Sequence, residues 1–219
     1  MIEDAPLGKI VVYTAIFGGY DGLQPALTPS VCLTDGTVAA VESWELRVVE
    51  SEGQDPRRAA RRCKILAHKY FPDADYTIWH DGNFRMLITP EEAIEKWLIR
   101  CDLATFQHPH RRCIYAEAEV CIRKRKDDPA RIREQVAEYK RQGFPRNFGL
   151  IAGCVLVRRN TKRVRELCEI WWQEVLEHSC RDQLSFDYAR WRTGLKTNYI
   201  PGLLHRHPSF RYGGHRRVR

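Results

Sequence analysis

Hydrophobic and polar residues alternate between two periods along this chain. Residues 9–17 (KIVVYTAIF) form a β-branched, apolar run that stops at Gly18-Gly19, as expected of a buried first strand. SVCLT (30–34) ends at Asp35-Gly36 and WELRVV covers 44–49, which predicts two further short strands. Asp55-Pro56 then opens a helix, with an N-cap residue followed by proline in the first turn. Ala59, Cys63, Leu66, Ala67 and Tyr70 recur at helical spacing and predict its core face, while Arg57, Arg61, Lys64 and His68 make a second, cationic stripe.

Beyond the helix, DYTIWHDGN (75–83) reads as a strand running into a glycine turn. A helix is expected from Pro90 to about Cys101, and a strand over DLATFQ (102–107). Residues 112–142 are helical in pattern and heavily charged, with a break near Asp127-Asp128-Pro129. LIAGCVLVRR (150–159) is a strong buried strand, followed by an amphipathic helix from Asn160 to about Glu177 that carries Trp171 and Trp172. A helix over 181–192, a strand over 197–201 and a His- and Arg-rich tail over 205–219 complete the chain. Strands interleaved with helices predict an α/β protein with a mixed, mostly parallel sheet flanked by helices. With no long linker or repeat, one domain is expected over 1–219, with its core at about 9–204 and the tail outside it.

Composition narrows this picture only a little. A chain of 219 residues with 43% hydrophobic and 29% charged positions can bury a sizeable core, which excludes a disordered protein. No apolar run approaches the ~20 residues of a membrane span, and residues 1–8 carry neither a basic start nor an apolar stretch. The expectation is a cytoplasmic protein without a transmembrane segment, at most peripheral at a membrane. The eight cysteines include no C-x-x-C pair and read as buried thiols. A net charge of +8 favours polyanionic partners, among them nucleic acid and phosphorylated small molecules.

Candidate chemistry centres on WHDGN. A strand ending in Asp-Gly-Asn at the carboxyl edge of an α/β sheet places Asp81 and Asn83, two oxygen-bearing side chains, on one tight turn. Both suit Mg²⁺ or Mn²⁺, although D-G and G-N are also ordinary turn pairs. The stripe of Arg57, Arg61, Lys64 and His68 could neutralise a diphosphate or simply face solvent. Asp182 in RDQLSF stands near a helix start, where it could cap the helix, accept a proton or orient a hydroxyl. Its neighbour Gln183 could hydrogen-bond a sugar. In HPHRRC, His108, Arg111 and Arg112 offer polar sugar contacts, and the spacing of His108, His110, Cys113 and Cys121 matches no familiar zinc site. A histidine of LLHRHP, His205 or His207, could return to the metal if the chain folds back over Asp81.

Taken in order, YTAIFGGYDGL, CLTD, DPRRAARRCK, HKYFPDADYTIWHDGN, LATFQHPHRRCIYAEAEVC, GFPRNFGLIAGCVLVRRN, WWQEV and RDQLSF resemble a glycosyltransferase-like family. Its plant members act in pectin and mucilage synthesis, and the resemblance covers about residues 10 to 200. It implies a GT-A-like fold, in which a Rossmann-type sheet binds a nucleotide sugar. The loop from Phe17 to Asp21, with Phe17, Gly18 and Tyr20, and Asp35 would then hold the nucleoside, Arg57 and Lys64 would face the phosphates, and Gly153 would lie beside the donor sugar. Asp81 and Asn83 take the place of a D-x-D metal motif, with one ligand charge lost at Asn83, and His205 is a third ligand by analogy. Asp182 and Gln183 match the position used for acceptor activation or donor positioning. The expected activity is transfer of a sugar from a nucleotide diphosphate donor to a hydroxyl acceptor, a glycan or related molecule, assisted by Mn²⁺ or Mg²⁺. Two rivals are a basic nucleic-acid-binding module and a metal-dependent hydrolase using the same Asp81 centre. Against the first, the basic residues are interspersed with acidic ones and no nucleic-acid motif is present.

Overall fold

The computed structural model describes residues 7–215. A seven-stranded sheet has the order β3-β2-β1-β4-β7-β6-β8. Its strands are β1 (Ile10–Ile16), β2 (Ser30–Thr34), β3 (Trp44–Val48), β4 (Tyr76–His80), β6 (Leu103–Gln107), β7 (Ile151–Arg159) and β8 (Asn198–Ile200). All pairings are parallel except those of β7, which runs against β4 and β6. The expected mixed, mostly parallel α/β sheet is therefore the architecture of this protein.

Period-two side-chain alternation splits the core between the two faces of the sheet. Tyr13, Leu33, Trp79 and Leu156 point to one face, where helices α1 (Pro56–Ile65), α6 (Lys162–Glu177) and α7 (Gln183–Thr193) cover them with Cys63, Trp171 and Phe186. Val12, Ile78, Val155 and Val157 point to the other, where α3 (Pro90–Trp97) contributes Ala93, Ile94 and Trp97. The one-turn α2 (Ala67–Tyr70) adds Ala67 to the first face, and the pair α4 (Ile114–Arg123) and α5 (Pro129–Arg141) packs on α7 through Tyr139, Leu184 and Tyr188.

Element starts follow local chemistry. Asp55 caps α1 by accepting from the amides of Arg57 and Arg58, and Thr89, Asp128 and Thr161 cap α3, α5 and α6 in the same way. Helix α3 ends at Trp97, short of the expected Cys101: Leu98 already leaves helical geometry at φ −94° and ψ 29°, and Arg100 at a φ of 59° bars a right-handed continuation to Cys101. Asp182 does not cap α7: it makes no side-chain capping hydrogen bond.

The tail also differs from expectation. It does not lie apart from the core: β9 (Phe210–Tyr212) pairs antiparallel with β5 (Phe84–Met86) in a two-stranded sheet, and the Gly213 amide donates to the Asn83 carbonyl at 2.8 Å. Phe210 is 4% exposed, and that burial ties the segment down. Residues 216–219 of the tail lie outside the described residues.

Candidate active site

Strand order reverses at β1. Its neighbour β2 leads outward to β3, whereas β4 continues the sheet on the opposite side. A crevice at the carboxyl ends of strands beside such a switch point is where open α/β sheets bind ligands. A pocket of about 350 Å³ lies there, walled by the ends of β1 and β4, the start of β7, helix α1 and the start of α7.

The pocket joins side chains far apart in sequence. Phe17, Gly18 and Tyr20 come from the loop after β1, and Arg57, Arg61 and Lys64 from α1. Asp81, Gly82 and Asn83 form the turn after β4, Gly153 and Cys154 lie on β7, Arg181, Asp182 and Gln183 open α7, and His215 comes from the tail. Gly18 takes a φ of 62° and Gly153 a φ of 75°, backbone conformations that glycine adopts without strain. A Cβ at Gly153 would stand 3.3 Å from Lys64 Nζ, so glycine also leaves room for the ammonium group.

Lys64 is the buried cation of the site, at 6% exposure. Its ammonium lies 5.8 and 5.9 Å from the ring centroids of Trp79 and Trp171 and donates to Asp182 Oδ2. Arg61 Nε donates to the other Asp182 oxygen at 3.4 Å, and Trp171 Nε1 holds the Asp182 carbonyl at 2.9 Å. Burial on its own would raise the Asp182 carboxyl; the charges of Lys64, Arg61 and Arg181 outweigh it and hold the group well below the usual carboxylate range. Gln183 is equally constrained, donating to the carbonyls of Ile151 and Ala152 and accepting from Arg181 Nη2 at 2.9 Å.

A buried arginine secures the helix that carries Lys64. Arg158 of β7, 2% exposed, donates from Nη1 to the carbonyls of Lys64 and Ile65 at 3.0 and 3.2 Å and from Nη2 to the Tyr13 hydroxyl. The Tyr13 hydroxyl itself donates to the Lys64 carbonyl at 2.8 Å. A guanidinium among the last carbonyls of α1 complements the negative end of the helix dipole.

On the opposite wall, Asp81 accepts from Trp79 Nε1 at 3.1 Å. Burial, reinforced by the Asp81 charge, pushes the adjacent Cys154 thiol well above its ordinary value and keeps it neutral. Asn83 is 5% exposed and its Oδ1 has no hydrogen-bond partner among the described residues. An orphaned buried carbonyl oxygen beside a carboxylate fits a hard divalent cation or a ligand hydroxyl. Among the described residues no three His, Cys, Asp or Glu side chains are grouped to cage a metal. The protein donors for Mn²⁺ or Mg²⁺ would therefore be Asp81 and Asn83, the remaining positions being open to phosphate oxygens and water, as is usual for Mg²⁺.

The other nominated residues fall elsewhere. Asp35 holds the loop after β1 from outside the pocket, accepting from the Gly18 amide at 2.7 Å and from Thr37, and so acts on the site through Gly18. His108 and Arg111 do not line the pocket. They surround Glu117, buried at 1%, with Arg111 Nε donating to its carboxylate at 2.5 Å. Burial, opposed by the Glu117 charge, lowers the His108 imidazole to about 4. Arg112 is exposed outside the pocket. His205 packs on Phe84 and Tyr212 at ring-centroid distances of 5.6 and 4.9 Å, and it is His215 that reaches the site, 2.9 Å from Asp21 and 3.3 Å from the Asn83 amide nitrogen. The chain turns back over the site only after the β5–β9 pairing, one strand later than a ligand at His205 requires.

Asp21 lies in the loop expected to hold the nucleoside and does line the pocket, whereas Arg181 and His215 were not anticipated. Arg181 stands beside Asp182 in RDQLSF and was legible there. His215 carries no local signal, since only the return of the tail brings it in.

Comparison with known proteins places the chain in a family. One curated relative, "Probable hexosyltransferase MUCI70" of Arabidopsis thaliana, is 32% identical over 172 residues, which cover 73% of this chain and 29% of that protein. This chain thus spans less than a third of that relative's length. Among solved structures, the apo form of the bifunctional glycosyltransferase WbbM superposes with a TM-score of 0.47 at 13% identity, over 90% of this chain and 40% of that one. Residues 29–204 match a further pattern, described as TOD1/MUCI70, glycosyltransferase-like domain. That match takes in β2 through β8 with most of the pocket's walls, and the chain belongs to the TOD1/MUCI70 glycosyltransferase-like domain family.

Proposed function

We propose that this pocket binds a nucleotide diphosphate sugar and transfers its sugar, a hexose by analogy with the Arabidopsis relative, to a hydroxyl of a glycan acceptor. One observation carries the reading: Arg61 and the buried Lys64 line the same pocket as a turn on which Asp81 stands beside Asn83, whose Oδ1 has no partner among the described residues. Cations on one wall and hard oxygen donors on the other suit a metal-bound diphosphate. Phe17, Gly18 and Tyr20 wall the nucleoside end, with Asp35 fixing Gly18; Arg57 at the rim and Lys64 within meet the phosphates; Gly153 and Gln183 lie against the sugar.

The chemistry breaks the bond between the anomeric carbon and the β-phosphate oxygen, and the electron pair leaves with that oxygen. Lys64 and Arg61, already in position, offset the charge as it develops, where electrostatic catalysis gains most. Mn²⁺ or Mg²⁺ on Asp81 and Asn83 would supply further Lewis-acid stabilisation of the departing diphosphate. The acceptor oxygen then bonds to the anomeric carbon and gives up its proton. Asp182, held ionised by two cations, is a weak base for that proton and serves better to position Lys64. The proton passes to the departing phosphate oxygen or to another carboxylate lining the pocket, such as Asp21; the first route retains the anomeric configuration and the second inverts it.

The test is a thermal-shift screen of nucleotide sugars with and without Mn²⁺, repeated on Asp81→Ala. A Mn²⁺-dependent rise that disappears in the variant is expected. A wild-type protein that responds to no nucleotide in Mn²⁺ overturns the proposal, and an unchanged shift in Asp81→Ala places the metal elsewhere.

A further inference from the structure

Aromatic rings continue outward from the mouth of the pocket as a connected strip. Tyr20, which lines the pocket yet is 54% exposed, lies 5.9 Å from the His215 ring. His215 lies 6.4 Å from Tyr212, itself 42% exposed, and Tyr212 meets the exposed His205 edge-on at 4.9 Å. Phe84, buried at 2%, supports His205 and Tyr212 from below, at 5.6 and 5.2 Å. Tyr20 comes from the glycine loop after β1 and the other three from the returning tail, so the strip exists only because β9 pairs with β5.

Exposed aromatic surface in a connected patch marks a place where something binds. The rings are amphipathic, with hydroxyl or imidazole edges, and Arg206 and Arg211 stand exposed on the segment that carries them. An aliphatic groove for a lipid chain or a partner helix would lack these polar edges. A pyranose has a matching character: an apolar C–H face to lie on a ring and a rim of hydroxyls to hydrogen-bond beside it. The step from one ring to the next is comparable to the length of one sugar unit, and the strip starts at the pocket where transfer takes place.

We propose that this strip is the acceptor subsite. It holds an oligosaccharide with its reactive end at the pocket mouth near Asp21 and its following sugars across Tyr212 and His205. The proposal rests on the glycosyl-transfer reading and adds to it that the acceptor is a chain of several sugars, gripped outside the donor pocket.

The experiment measures retention of wild type, Tyr212→Phe and the double variant Tyr212→Ala/His205→Ala on an array of neutral and uronic-acid-containing oligosaccharides of two to six sugars. Thermal shifts with uridine diphosphate and Mn²⁺ are recorded in parallel. Wild type is expected to retain longer oligosaccharides better than disaccharides. The alanine pair should weaken that retention about tenfold or more, since two aromatic contacts are lost. Tyr212→Phe should keep it, and the nucleotide shift should be unchanged in both variants. Wild-type retention of no oligosaccharide, or equal retention by the alanine pair, overturns the subsite. Retention that depends on Tyr212 and His205 in a protein that answers to no nucleotide supports the strip and overturns the transfer reading, so the two failures are distinct.

Discussion

Asp182→Asn tests the electrostatic heart of the site, because it removes one negative charge and preserves the side-chain shape. That carboxylate is 4% exposed and bonds Lys64 on one oxygen and Arg61 on the other, the latter at 3.4 Å. Without it Lys64, 6% exposed, is left, among the described residues, beside the Trp79 and Trp171 rings. Removing one partner of a buried pair costs about 3–5 kcal/mol, because the other charge stays desolvated and unpaired. In a chain of this length each kcal/mol moves Tm by about 2–4 °C, so scanning calorimetry at pH 7 should record a fall of roughly 6–20 °C. The double variant Asp182→Asn/Lys64→Met should recover at least half of the loss, since the stranded cation goes too. Pyrophosphate should stabilise Asp182→Asn more than wild type, by taking the place the carboxylate leaves. The sign with pH follows from a depressed carboxyl: its contribution is complete above the ordinary carboxylate range and is lost only as pH falls below it. Wild-type and variant stabilities should therefore converge below about pH 4 and stay parallel between pH 5 and 8. A Tm within about 2 °C of wild type, or a double variant worse than the sum of its parts, refutes the reasoning.

Gly153→Ala forces a Cβ into a φ of 75° and to 3.3 Å from Lys64 Nζ. A loss of about 1–2 kcal/mol by urea denaturation is expected, with weaker pyrophosphate binding by calorimetry. Arg158→Ala strips partners from the Lys64 and Ile65 carbonyls and opens a buried cavity, and should cost about 3–5 kcal/mol in the same denaturation; an unchanged midpoint would sink the helix-end account of Arg158. His108 titrates at about 4 in the folded protein against about 6.5 when unfolded. Its stabilising contribution is thus complete above pH 6.5 and is lost as pH falls through that window, by up to about 3 kcal/mol. Urea midpoints followed from pH 7 to 4 should fall less steeply in His108→Gln, and equal slopes would exclude His108 as the cause.

The sequence alone determined what depends on near neighbours. β-branched runs closed by glycine marked β1, β2 and β4, the apolar run of 150–159 marked β7, and Asp55-Pro56 marked the start of α1, because strand periodicity and capping chemistry are complete within a few residues. WHDGN was legible as a turn at a strand end, and the cationic stripe as one face of a helix. Family-like segments then gathered Phe17, Gly18, Tyr20, Arg57, Lys64, Asp81, Asn83, Gly153, Asp182 and Gln183, all of which the fold brings to one pocket.

What local pattern could not decide was pairing across the chain. Asp182 reads as a helix cap beside its own residues; it is a counter-ion only because α1 and α7 bring Lys64 within reach of it, 118 positions away. His108 and Arg111 read as polar contacts to a sugar; in the fold they turn to Glu117, because a buried carboxylate must draw its nearest cations inward or remain unpaired. His215 instead of His205 stands over Asn83 because the register of β9 on β5 sets where the tail turns, and a register is settled by both strands together. Local chemistry chose the elements, and the burial of charge and the pairing of distant strands chose the company each residue keeps.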